Sequence, residues 1–206
     1  MMVMLSTVFV VDDDPAFCRS LRLLLYSAGL HVEDHCCAES FLAAYDPQRP
    51  GCLVLDVRMA GLSGLELQAH LAAKQLRIPI IFITGHGDIP MAVEAVKAGA
   101  IDFIEKPFND QVLLERIQQA MEQDARRRQE EHKWSACVAR LERLTAREKE
   151  VMQLVAAGRS NKQIAAQLSI SHRTVEIYRA RVMEKLGVES LSALVRIAMS
   201  YEIHIP

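Results

Sequence analysis

The sequence predicts an α/β fold built on a five-stranded parallel sheet, followed by a small all-α domain. Three observations carry that expectation. Residues 1–120 alternate short apolar runs five times with segments whose apolar residues recur every three or four positions. No Gly or Pro occurs between Pro107 and Gly158, so a helix entered after Pro107 meets no breaker for many turns. Beyond Leu144 the helical segments are short, capped and separated by Gly158 and Gly187. A chain of 206 residues accommodates two such domains.

The strands are expected at 7–11, 31–35, 52–56, 80–84 and 102–106, with helices at 15–28, 39–45, 64–75 and 89–98 and a fifth beginning near Asn109. Gly29, Gly51 and Gly99 punctuate the returns. The opening MMVMLSTVFV lacks a basic leader and runs into Asp12-Asp13-Asp14, so it reads as a buried strand, not a signal peptide. In the fifth helix Leu113, Leu114, Ile117 and Met121 form one stripe, and Trp134, Val138 and Leu141 another. Between them lies a polar stretch containing Arg126-Arg127-Arg128, which reads either as a solvated helix or as a dimerising coil. The expected division is 1–121, a helical linker at 122–140, and 141–206.

Composition narrows the function classes. Half the residues are hydrophobic and 24% are charged, which is globular and not disordered. No apolar run is long enough to span a membrane. The five cysteines include no CxxC pair, which fits packing thiols in a reduced cytoplasm. Residues 1–120 hold 9 Lys and Arg against 15 Asp and Glu, a net −6, whereas residues 141–206 hold 10 against 7, a net +3. An acidic half joined to a basic half suggests two tasks, the second on nucleic acid.

In a parallel sheet the carboxyl ends of the strands share one edge, where sites form. Here those ends carry Asp12-Asp13, Asp56, Thr84-Gly85 and Lys106-Pro107. Carboxylates gathered there repel one another unless a cation intervenes, and Mg²⁺ takes such oxygen ligands while keeping waters. A carboxylate can also attack phosphorus to give an aspartyl phosphate. Lys106 would neutralise phosphoryl oxygens and Thr84 would donate to one. Asp14 leaves the register of the acidic pair open, although the run Val8–Val11 favours Asp12-Asp13. A Mg²⁺-dependent phosphatase with a nucleophilic Asp is the enzyme alternative. It calls for an acid two residues after the nucleophile, where Arg58 stands.

These residues resemble the receiver domain of bacterial two-component response regulators, a flavodoxin-like fold. The stretches DVRMAGLSG and ITGHGDIPMAVEAVKAGAIDFIEKPF are most similar to the FixJ branch of the FixJ/NarL group. The resemblance implies that Asp56 accepts the phosphoryl group. It also implies that Asp13, Asp56 and the Arg58 backbone carbonyl ligate Mg²⁺, with Asp12 acting mainly through water. Thr84 and Phe103 would form a switch pair, and Lys106 would precede a cis Pro107. His86 would influence how fast phosphate is lost. Ala60 replaces a usual Pro and is expected to loosen the loop after Asp56. A decayed receiver on a constitutive DNA-binding protein ranks low, because every acceptor-site residue is intact.

The C-terminal half contains two capping-box patterns, Thr145–Glu148 and Ser160–Gln163, with Ser171 and Ser190 as further caps. The stretch LTAREKEVMQLVAAGRSNKQIAAQLSISHRTVEIYRARVMEKLGV resembles the LuxR-type helix-turn-helix. The scaffold helix would cover 160–168 and the recognition helix 174–186, entering the major groove. Arg173, Thr174, Tyr178, Arg179 and Arg181 would meet bases or phosphates, and Lys162 and Lys185 mainly backbone. Glu176 and Tyr178 stand where the family often has Lys and His, and Glu176 can accept from cytosine. The last helix, 190–201, would help pair two DNA-bound domains. The resemblance as a whole implies a cytoplasmic transcription regulator and not an enzyme. A sensor histidine kinase would phosphorylate Asp56, and a homodimer would form on double-stranded DNA and work with RNA polymerase.

Overall fold

The structure, a computed structural model, describes residues 5–85 and 89–203; His86 lies outside them. In chain order the first elements are β1 (Thr7–Val11), α1 (Pro15–Ser27), β2 (His31–His35), α2 (Ala38–Ala44) and β3 (Gly51–Asp56). They continue as α3 (Gly64–Ala73), β4 (Ile80–Thr84), α4 (Ile89–Lys97) and β5 (Asp102–Glu105). Then come α5 (Asp110–Glu142), α6 (Ala146–Ala156), α7 (Asn161–Leu168), α8 (His172–Leu186) and α9 (Leu191–Ile203).

All strand pairs are parallel, in the order β2-β1-β3-β4-β5. Strand alternation sorts side chains onto two faces. Phe9, Val11, Leu53, Leu55 and Phe82 meet Phe41 of α2, Leu67 and Leu71 of α3, and Ala95 of α4. Val8, Val10, Cys52, Val54, Ile81 and Ile83 meet Cys18, Leu21 and Leu25 of α1 and Leu113, Ile117 and Ala120 of α5. Both faces of the central strands are covered, so β1, β3 and β4 read as continuous apolar runs. The order reverses beside β1, and the switch point of such a sheet opens a crevice at the carboxyl ends of β1 and β3.

The chain separates into two compact units, residues 1–128 and 129–206, and their boundary falls within the segment 122–140 expected as a helical linker. Its first part belongs to the first unit. Asp124 is 1% exposed and accepts the Gly51 amide at 3.0 Å, with Arg127 and Arg128 paired to it. Arg128 also donates to the carbonyls of Gln48 and Arg49, at 3.1 and 2.6 Å. The polar stretch is therefore not uniformly solvated; one carboxylate in it caps the start of β3. A Cβ on Gly51 would fall 1.9 Å from the Thr7 carbonyl oxygen, so only glycine fits there.

The second unit closes around Leu141, Leu144, Val151, Met152, Val155, Ile164, Val175, Val182, Leu186, Leu194 and Ala198. The expected capping boxes at Thr145 and Ser160 are both formed, and Ser171 caps α8. Arg140, near the end of α5, donates to the carbonyl of Leu186 at the end of α8.

Candidate functional site

Each strand end delivers its polar residue to one edge. Asp12 follows β1 and is 3% exposed; Asp56 closes β3 and is 7% exposed; Thr84 closes β4 and is buried. Lys106 follows β5, its amide donating to the Thr84 carbonyl at 2.7 Å, and the Lys106–Pro107 peptide is cis. The Lys106 ammonium donates to Asp12 Oδ2 at 2.7 Å and to Asp56 Oδ1 at 3.1 Å. The remaining oxygens are also engaged: Asp12 Oδ1 accepts the Asp14 amide, and Asp56 Oδ2 accepts the Arg58 amide at 2.7 Å. Asp14 itself caps α1 by accepting from Ala16, which places Asp12 and Asp13, and not Asp14, on the site edge.

Electrostatics follow from this packing. Burial pushes the Asp56 carboxyl above its ordinary range, with Asp12 adding to the push, against the bonds from Lys106 and Arg58. Burial disfavours the Lys106 charge, but its bonds to Asp12 and Asp56 win and raise its pKa. Lys106 thus stands as the counter-ion of two buried carboxylates.

The loop after β3 is held close. Gly64 starts α3 where a Cβ would lie 2.2 Å from the Asp56 carbonyl oxygen. Asp13 is exposed, and its Oδ2 accepts the Ala60 amide at 2.9 Å. The expected loosening at Ala60 is therefore countered by a bond that a Pro, lacking an N–H, would not make. Phe103 is half-buried on β5, 6.3 Å from the Phe82 ring centre.

The oxygen-only set of Asp12, Asp13 and Asp56 is chemically suited to a hard cation such as Mg²⁺. Among the described residues no group of three acids, histidines or cysteines is already arranged as a cage for a metal. Lys106 occupies the space between two of the carboxylates instead.

In the second unit α8 buries Val175, Val182 and Leu186 and exposes Arg173, Glu176, Ile177, Ala180, Arg181 and Glu184. Of the expected DNA residues, Lys162, Arg173 and Arg181 are exposed, and Thr174 and Tyr178 are half-buried. Two others are engaged within the fold. Arg179 donates to Asn161 Oδ1 at 2.6 Å, and Lys185 donates to Glu148 Oε2 at 2.7 Å. Lys185 lies beside the buried N-terminal cap of α6, which draws it away from a purely phosphate-facing position. Ile177 is 45% exposed on the same face as Arg173 and Arg181, an exposed apolar side chain that the helical period of the core residues does not mark.

Residues 8–118 match the response regulator receiver domain, and residues 142–198 match the bacterial regulatory proteins of the luxR family. The chain belongs to the response regulator family. This response regulator is 49% identical over 193 residues to Nodulation protein W of Bradyrhizobium diazoefficiens, covering 94% of the chain and 85% of that protein. It is 47% identical over 194 residues to the transcriptional regulatory protein FixJ of Rhizobium meliloti, covering 94% and 95%. Among solved structures it is similar to the response regulator StyR, with a TM-score of 0.84 and 49% identity over 95% of this chain and 99% of that one. The response regulator is a phosphorylation-dependent transcription regulator that couples a receiver to a LuxR-type DNA-binding domain, and it is not a classical enzyme. That architecture implies a kinase and DNA as partners. Among the described residues no helix is long and apolar enough to cross a membrane.

Proposed function

We propose that Asp56 is the phosphoryl acceptor and that Lys106 and Thr84 serve the transfer. One observation carries this: the Lys106 ammonium bridges buried Asp12 and Asp56 at the switch point of the sheet. An Asp56 carboxylate oxygen attacks phosphorus on a phosphohistidine of a sensor histidine kinase. The O–P bond forms as the N–P bond breaks, and the imidazole leaves. Lys106 then exchanges its bond to Asp56 Oδ1 for a phosphoryl oxygen, and the Thr84 hydroxyl donates to another. Asp13, Asp56 and the Arg58 carbonyl would hold Mg²⁺, with Asp12 mainly through water; when bound it offsets the phosphoryl charge.

Movement of Thr84 toward the phosphate leaves space for Phe103 to turn further inward, which repacks the side of the sheet carrying α4 and β5. The exposed apolar residues Val93 and Val96 of α4 and Val112 of α5 support that side as the homodimer surface. To make a minor active state dominant, phosphorylation must supply several kcal/mol of bias.

The α8 face then meets double-stranded DNA in the cytoplasm, with RNA polymerase as the downstream partner. Arg173 and Arg181 would contact bases or phosphates, with Lys162 on the backbone. Thr174, Tyr178 and Arg179 lie at the edge of this face, Lys185 is mainly structural, and Ile177 meets apolar groove atoms such as a thymine methyl. The test is labelling with a small acyl phosphate and Mg²⁺. One acyl phosphate is expected, and Asp56→Asn abolishes it; undiminished labelling of that variant moves the acceptor elsewhere.

A further inference from the structure

Lys106 has a third partner. Its Nζ lies 3.7 Å from the ring centre of Phe17. An ammonium has three N–H bonds, and two are given to Asp12 and Asp56. The remaining side of the group faces an aromatic π surface, where water would otherwise compete. The ring is placed by local sequence. Asp14 caps α1 and Pro15 opens it, so residue 17 falls in the first turn, directly beside the acidic edge. Phe108, just past Pro107, meets the Phe17 ring edge-on at 6.2 Å and 89°. The half-buried ring thus packs on both the helix and the loop that carries Lys106.

We propose that Phe17 is a positioning residue for phosphotransfer, holding the Lys106 ammonium against Asp56 by a cation–π contact. This rests on the reading of Asp56 as acceptor. The incoming phosphoryl group gains most from a cation already fixed where its charge will lie, because no reorganisation is then needed during transfer. A ring face supplies that fixation without becoming a rival anion, which a third carboxylate would be.

The comparison is between Phe17→Leu, which keeps apolar bulk without a π face, and Phe17→Tyr, which keeps the ring. In the metal-free full chain, NMR should show Lys106 ε-methylene protons shifted upfield by the ring in wild type and Phe17→Tyr, and not in Phe17→Leu. With Mg²⁺ and an acyl phosphate, Phe17→Leu should remain folded and label roughly two- to tenfold more slowly, and Phe17→Tyr near the wild-type rate. If Phe17→Leu fails to fold, Phe17→Met makes the same comparison. Wild-type labelling in the leucine variant, or equal slowing in both, overturns the proposal. Asp56→Asn run alongside separates that result from a misplaced acceptor, since only the latter leaves Asp56→Asn labelled.

Discussion

The Ala60 amide donates to Asp13 Oδ2 at 2.9 Å, tying the loop after β3 to the exposed acid after β1. A carboxylate has further lone pairs for a cation, so this bond orients Asp13 without consuming it. Ala60→Pro removes the donor and is expected to weaken Mg²⁺ binding by about tenfold, the lower end for loss of an outer-shell partner. Titration calorimetry on the full chain measures it; an unchanged affinity would show that the Ala60 amide does not orient Asp13 toward the cation.

Lys106→Ala leaves Asp12 and Asp56 buried without their shared cation. In metal-free buffer the receiver unit should lose about 3 kcal/mol, the scale of breaking a buried pair. Added Mg²⁺ should restore part of it. Melts with and without the ion decide the matter, and equal losses in both would mean that the two acids do not share a cation site.

In the DNA-binding unit, Glu148 is buried, yet its bonds to Lys185 and Thr145 hold its carboxyl below the ordinary glutamate value of 4.5. A depressed carboxylate stabilises the folded state above its unfolded pKa and loses that contribution as pH falls through the folded value. The unit should therefore weaken below about pH 4.5 by this route. Glu148→Gln should flatten that acid limb while costing roughly 1–2 kcal/mol at neutral pH through the weakened cap and lost ion pair. An acid limb of unchanged slope in circular-dichroism melts would count against it.

Asp124 makes a local prediction. Its carboxylate accepts the Gly51 amide, so that amide should be among the slowly exchanging ones. In Asp124→Ala, hydrogen exchange at Gly51 should rise sharply, and the unit should lose about 3 kcal/mol because Arg127 and Arg128 lose a buried partner. Retained protection would show that the polar stretch of α5 is not anchored there.

On α8, Ile177→Ser should weaken specific DNA binding by roughly 1 kcal/mol and relax the preference at one base position. Arg181→Ala should lower the salt slope by about one unit if it meets a phosphate. Binding isotherms across a salt series distinguish the two, and wild-type behaviour of both variants would move the DNA face off α8.

Much of this protein was legible in the chain itself. Short apolar runs placed β1 and β4 at their observed limits, because strands buried on both faces leave continuous apolar segments. The acids and Lys106 could be assembled from sequence alone, since a parallel sheet brings every strand's carboxyl end to one edge. Capping boxes at Thr145 and Ser160 were equally readable, being contacts between residues three apart. Only the tertiary structure decided the long-range pairings. Phe17 reaches Lys106, Ala60 reaches Asp13, Asp124 reaches Gly51, and Lys185 reaches Glu148 across separations that no local pattern encodes. Periodicity reports which side of an element is buried. It does not report which partner a polar side chain finds there, because that depends on how separate elements approach and on which donors and acceptors packing leaves to be satisfied.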